Sequence, residues 1–140
     1  MVTVNELSKV YGKERKTAVD RVSFVAGKGE LFGLIGPDGA GKTSIFRMLA
    51  TLLLPDGGSA TVAGFDIVRD YRQIRQTVGY MPGKFSLYPD LSVEENLDFF
   101  ATVFRTTVAA NRHLIRDIYV QLEPFRKRRA GKLSGGMKQK

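Results

Sequence analysis

Residues 36–44 read GPDGAGKTS, three glycines around one lysine, directly after the stiff apolar run ELFGLI. This stretch constrains the chain most. A flexible segment sits between an expected buried strand and the helical spacing of Ile45, Met48, Leu49 and Leu52 in TSIFRMLATLL. It fits the pattern G-x-x-x-x-G-K-[ST] through Gly36, Gly41, Lys42 and Thr43. Glycines let a backbone curl so that several N–H groups point inward, and a helix start adds more unpaired donors. The pattern implies a cradle for phosphate oxygens, with Lys42 as a point charge and the Thr43 hydroxyl as a ligand for Mg2+. A nucleoside triphosphate with Mg2+ is the expected cargo.

The rest of the chain reads as short elements around that loop. VTVNEL alternates as a strand, and RVSFVAGKGELFGLIG reads as two β runs turned at AGKGE. PDGGSATVAGFDI reads as a turn and a strand, YRQIRQ as a short helix, and TVGYMP as a short strand. Ser92 followed by Glu95 is a capping box opening the helix SVEENLDFFATVF. A further helix covers NRHLIRDIYVQL and stops near Pro124. The fold class is therefore α/β.

Composition limits the alternatives. The 140 residues suit one domain. The net charge of +8 is concentrated, because FRKRRAGKLSGGMKQK carries seven basic residues and no acidic ones. The residues before it carry +1, since eight minus seven is one. RKRR at 126–129 is expected as a solvated helix end near a C-terminal dipole, with nucleic acid or anionic lipid as the alternative. The absence of cysteine excludes disulfides and thiolate metal sites. No apolar run is long enough to span a bilayer, and no signal peptide is visible in MVTVNELSKVYGKERK. FFATVF is expected as helix core, and His113 as a surface residue. FSLYPDL carries aromatics in a loop, suited either to docking a partner or to a local apolar plug.

LSGGMKQK, residues 133–140, offers a second cradle of the phosphate type, with Ser134 as N-cap. At this point the chain resembles the nucleotide-binding domain of ATP-binding cassette (ABC) transporters, along its whole length. SKVYGKERKTAVDRVSF carries Tyr11 where the family keeps an aromatic that stacks on adenine. GPDGAGKTS resembles the Walker A loop, VGYMPGKFSLYPDLSVEENL the Q-loop region, and LSGGMKQK the signature. The wording is most similar to ATPase subunits of ABC-2-type multidrug exporters.

The resemblance implies a P-loop NTPase in its N-terminal portion. An antiparallel β subdomain and the Walker A strand, loop and helix would occupy residues 1–80, and the Q-loop region, part of the helical subdomain and the signature residues 81–140. Tyr11, Gly36, Pro37, Asp38, Gly39, Ala40, Gly41, Lys42, Thr43 and Ser44 would bind ATP, with Thr43 on Mg2+. Leu133, Ser134, Gly135, Gly136 and Met137 would serve the nucleotide of a second nucleotide-binding domain, in a head-to-tail dimer. A transmembrane permease would be the other partner, placing the protein in the cytoplasm, peripheral to the membrane; nucleic acid is not an expected partner.

Two departures from the family pattern carry consequences. Gly83 stands where the family has a glutamine that contacts metal and attacking water, and Lys84 offers no acceptor in its place. The strand ending in Asp, the catalytic glutamate and the switch histidine follow the signature in the family and fall outside the 140 residues. The expectation is ATP binding with poor hydrolysis. The Walker A strand is expected to become a bare edge, leaving the isolated chain weakly stable or self-associating. A soluble ABC ATPase, another P-loop protein and a module that binds ATP without cleaving it are the competing readings.

Overall fold

The computed structural model describes residues 1–83 and 86–139, in two compact units, Met1–Met81 and Pro82–Lys140. Lys84, Phe85 and Lys140 lie outside the described residues, and with them part of the expected Q-loop region and of FSLYPDL.

The first unit is built on an antiparallel sheet. Strands β1 (Val2–Tyr11), β2 (Lys16–Ala26), β3 (Gly57–Val62) and β4 (Phe65–Asp66) are ordered β2-β1-β3-β4. β1 does not keep a strict two-residue period. Val4 and Leu7 are both buried, three positions apart, because Glu6 takes φ 47 and the register with β2 and β3 shifts there. Gly58 of β3 faces this irregularity at φ 74, where a Cβ would stand 2.2 Å from the Glu6 carbonyl oxygen. The β3–β4 connection is a two-residue turn through Ala63 and Gly64, both at positive φ, between the paired Val62 and Phe65. That is the hairpin geometry whose twist matches the strands.

Two helices cover the sheet. Helix α1 spans Lys42–Leu49 and buries Ile45 and Met48; α2 spans Tyr71–Thr77 and buries Ile74. These join Val4, Leu7, Val19, Ala60, Val62 and Ile67 in one apolar core. The helical spacing predicted α1 as far as Leu53, but it stops at Leu49, Thr51 turns to φ 58, and Leu52 is exposed. Arg75 of α2 closes that end by donating to the Thr51 hydroxyl at 2.9 Å and its carbonyl at 2.8 Å.

ELFGLI forms no strand. Phe32 stacks on Phe24 with ring centroids 4.9 Å apart, and Leu34 packs on the core. Leu31 and Ile35 are fully exposed. The segment keeps the alternation of a strand with one face covered. No strand among the described residues supplies the ladder partner that would make it one. TVGYMP likewise forms no strand: α2 runs into Thr77, and Val78 is its extended cap.

In the second unit, helix α3 (Val93–Val103) opens on the predicted capping box. The Ser92 hydroxyl accepts from Glu95 N at 3.2 Å, and the Glu95 carboxylate accepts from Ser92 N at 2.7 Å. Helix α4 spans Val108–Leu122, capped by the Thr107 hydroxyl, and gives way before Pro124 to a 3₁₀ turn at Glu123–Phe125. A small core joins Val93, Ala130 and Leu133 with Leu87, Leu97, Tyr119, Phe125 and Met137.

FFATVF is not helix core. Phe99, Val103 and Phe104 are exposed and Phe100 and Ala101 only half-buried, because the most covered stripe of α3 runs through Val93, Asn96 and Leu97. RKRR follows the 3₁₀ turn, and its backbone serves the start of α3 rather than the end of α4. The Arg126 and Arg128 carbonyls accept from Glu94 N at 3.0 Å and Val93 N at 3.2 Å.

Candidate functional site

The glycine loop is held in the first unit between β2 and the start of α1. Ala40 N closes a turn on Pro37 O at 3.3 Å, and Gly39 takes φ 82. Gly41 is the N-cap of α1 at φ 84, with no side chain capping the helix, and its carbonyl accepts from Ile45 N at 3.0 Å. The first amides of a helix have no partner within it, so Lys42, Thr43 and Ser44 carry their N–H groups to this end. Gly41 is also the point of closest approach to β2, where a Cβ would stand 2.1 Å from the Ala18 carbonyl oxygen and 3.0 Å from Val19 Cγ2. Only glycine meets both requirements there.

Lys42 turns back over the loop. Its ammonium donates to the carbonyl oxygens of Gly36 and Pro37, each at 2.6 Å. Gly36, Pro37, Asp38, Gly39, Ala40 and Thr43 are exposed, and Lys42 and Ser44 are half-buried. Tyr11, at the end of β1, reaches this end of α1: its hydroxyl lies 3.1 Å from Ser44 Oγ. Lys9 sits 5.8 Å from the Tyr11 ring centroid and pairs with Asp56 at 3.1 Å. The Val10 N–H, donating to Asp56 at 2.7 Å, and then the Lys9 ammonium hold that carboxyl below its ordinary range. The fold therefore brings Tyr11, the loop and the α1 N-terminus together, although Tyr11 and Gly36 lie 25 positions apart in sequence.

The LSGGM residues lie in the second unit. Leu133 is buried, Met137 packs on the small core, and Ser134, Gly135 and Gly136 are exposed. The Ser134 hydroxyl accepts from Met137 N at 3.4 Å, and Lys138 N donates to the Ser134 carbonyl at 3.0 Å. Ser134 thus opens a helical turn, as an N-cap does. Gly83 is exposed, with open space where a side chain would be. His113 is exposed on α4 and lines, with Arg112, Arg116, Tyr119, Val120 and Glu123, a surface groove of about 430 Å³. Among the described residues no cluster of three or more His, Asp or Glu could hold a metal ion.

Sequence reasoning missed Asn96. It is buried at 2% exposure and bonded to the backbone of residues 88–92. Its signal was a polar residue on the apolar stripe of α3, between Val93 and Leu97.

A glycine-rich connection into a helix start, with a lysine and two hydroxyls, defines the P-loop class of α/β proteins. Solved ATP-binding cassettes resemble this chain in fold over 99% of its residues. One described as an ATP-binding subunit of an ABC transporter is 28% identical, with a TM-score of 0.80, over 99% of this chain and 58% of its own. A dimeric ATP-binding cassette bound to ADP and Pi is 23% identical, with a TM-score of 0.81, over 99% of this chain and 66% of its own.

The ABC transporter family matches residues 19–140, and the chain belongs to that family. It is 46% identical to the probable multidrug ABC transporter ATP-binding protein YbhF of Escherichia coli, covering all of this chain and 25% of that protein. It is 38% identical to the doxorubicin resistance ATP-binding protein DrrA of Mycobacterium tuberculosis, over 99% of this chain and 43% of that one. The chain therefore spans a quarter to under half of the relatives it matches.

Proposed function

We propose that this chain is the nucleotide-binding portion of an ATPase subunit that drives export through a membrane partner. The observation that carries the reading is the Lys42 ammonium poised over a glycine loop at a helix start. Phosphate oxygens would replace the Gly36 and Pro37 carbonyls as its acceptors, while the loop and first-turn amides bind the remaining oxygens. The Tyr11 ring, more than a third exposed beside Ser44, would take the adenine face. Mg2+ needs few protein donors when phosphates and water supply the rest, and the Thr43 hydroxyl would supply one. ATP supplies the phosphoanhydride whose cleavage would release two subunits held together by bound nucleotide.

The exposed Ser134-Gly135-Gly136 turn would serve the nucleotide of a second nucleotide-binding domain. Docking would make the protein peripheral to the cytoplasmic face of a membrane, where the exposed Tyr88 and Phe99 would offer an apolar surface to a permease. No helix among the described residues is long and apolar enough to cross a membrane. Gly83, with no side chain to hold an attacking water, favours binding over cleavage, so this chain would bind ATP and hydrolyse it poorly.

Calorimetric titration with Mg-ATP, beside Lys42→Ala, tests the reading. Binding by the parent chain, weakened at least about tenfold in the variant, is expected, since a charge-assisted bond contributes about 1.5–3 kcal/mol. Equal binding by both proteins, or none by a folded parent chain, would overturn it.

A further inference from the structure

Asn96 is the buried polar side chain of the described residues, and all of its bonds go to one loop. Its Oδ1 accepts from Tyr88 N at 2.9 Å. Its Nδ2 donates to the carbonyls of Ser92 at 2.9 Å, Tyr88 at 3.1 Å and Leu91 at 3.4 Å. One N–H donor faces the oxygen and three carbonyls face the nitrogen, so the amide has one satisfying orientation. A primary amide on a short stem can hold such a loop from both sides. A carboxylate of the same shape cannot, because it donates nothing while ionised.

The loop passes its position on. The Pro89 carbonyl accepts from Gly131 N at 2.9 Å, and the Leu91 carbonyl from Ala130 N at 2.8 Å. Ser92 bridges to Arg129. Ala130 is fully buried against Val93 and Leu133, so the strip cannot slide without opening that core. Gly131 leaves no slack either: a Cβ there would stand 3.0 Å from the Pro89 carbonyl oxygen and 3.1 Å from Pro89 Cβ. Leu133 N returns to the Ala130 carbonyl at 3.2 Å, and the next three residues are the exposed Ser-Gly-Gly turn.

We infer that Asn96 is a positioning residue for the 134–136 turn. It holds loop 88–92, and the loop's carbonyls in turn set the strip 130–133 on which the turn is mounted. The exposed Tyr88, whose N–H and C=O both bond Asn96, is the outward end of the same linkage. Displacing Tyr88 then displaces the turn. That the turn serves a nucleotide rests on the function proposed above; the linkage itself does not, and its test uses no nucleotide.

Residue-resolved amide hydrogen exchange on the 140-residue chain provides that test, with Asn96→Asp and Gly131→Ala. Asn96→Asp keeps the shape and removes the donors. It is expected to speed exchange at Ala130, Gly131 and Lys138 at least tenfold while Tyr119 and Leu122 in α4 are unchanged. Gly131→Ala pushes from the other end and is expected to speed exchange at Tyr88, because coupling between two sites is reciprocal. Exchange that rises only within 86–92 in the first variant would overturn the inference, as would a rise of equal size through α4. If Asn96→Asp fails to fold, Gly131→Ala decides alone: an unchanged Tyr88 amide refutes the linkage.

Discussion

Gly39 and Gly41 take nearly the same backbone conformation, φ 82 and φ 84, two residues apart in one loop, yet their surroundings differ completely. At Gly39 a Cβ would meet nothing within 4 Å; at Gly41 it would stand 2.1 Å from the Ala18 carbonyl oxygen. Alanine at either position incurs the left-handed strain of an L-residue, about 1–2 kcal/mol. At Gly41 it must also move main chain of β2, since 2.1 Å is more than an ångström short of ordinary contact at about 3.5 Å. Overpacking adds about 1–3 kcal/mol or more. Gly39→Ala is therefore expected to cost about 1–2 kcal/mol and Gly41→Ala about 2–5 kcal/mol, a large share of the roughly 5–15 kcal/mol that holds a domain together. Equilibrium unfolding in urea, followed by far-ultraviolet circular dichroism, reads the difference as a midpoint lower by about 0.3–3 M in Gly41→Ala than in Gly39→Ala, given slopes of about 1–3 kcal/mol/M. Equal midpoints for the two variants would refute the close packing of the loop on β2.

Three further outcomes are expected. Ile74→Ala removes a fully buried side chain from the first core and should cost about 2–5 kcal/mol in the same assay; a loss under about 1 kcal/mol would mean that α2 is not anchored there. The Ser92 N–H and then its hydroxyl hold the Glu95 carboxyl below its ordinary 4.5. The folded form thus prefers the carboxylate, so this stabilisation is complete above 4.5 and fades as pH falls through the lowered value. Glu95→Gln should flatten that part of the acid-unfolding profile, and superimposable profiles would count against the capping box as its source. Leu31 and Ile35 present two bare aliphatic side chains, so the chain should self-associate in sedimentation experiments, with Ile35→Glu shifting it toward monomer; a parent chain monomeric at every concentration would contradict this.

Features governed by neighbours along the chain are legible in the amino-acid sequence. The glycine loop opening α1, the Ser92–Glu95 box and the stop before Pro124 each depend on a few adjacent residues. Features governed by distant partners are not. ELFGLI has the composition and alternation of a strand, but a strand exists only where another chain segment accepts its hydrogen bonds. Helical spacing groups Phe99 with Val103 without saying whether anything covers them. The irregularity at Glu6 follows from register with β2 and β3, and nothing in VTVNEL announces that Leu7 will turn inward beside Val4. Asn96 is hard to single out because its partners are main-chain atoms, which carry no residue signature. Tyr11 stands out by resemblance alone; its proximity to Ser44 is a product of the fold.

The two carbonyls under Lys42 have a further consequence. A lysine free in solvent would have to surrender its rotamers to grip an anion, at a cost of up to about 1.5–2 kcal/mol. Here that ordering has already happened, with the ammonium docked on Gly36 and Pro37. On the function proposed above, an arriving anion would exchange one set of acceptors for another instead of freezing a loose chain. Its grip would then be set by how much better its oxygens are than two peptide carbonyls. A neutral ligand, offering no better acceptor, would leave the lysine where it is, so the loop would discriminate by charge before any shape is read.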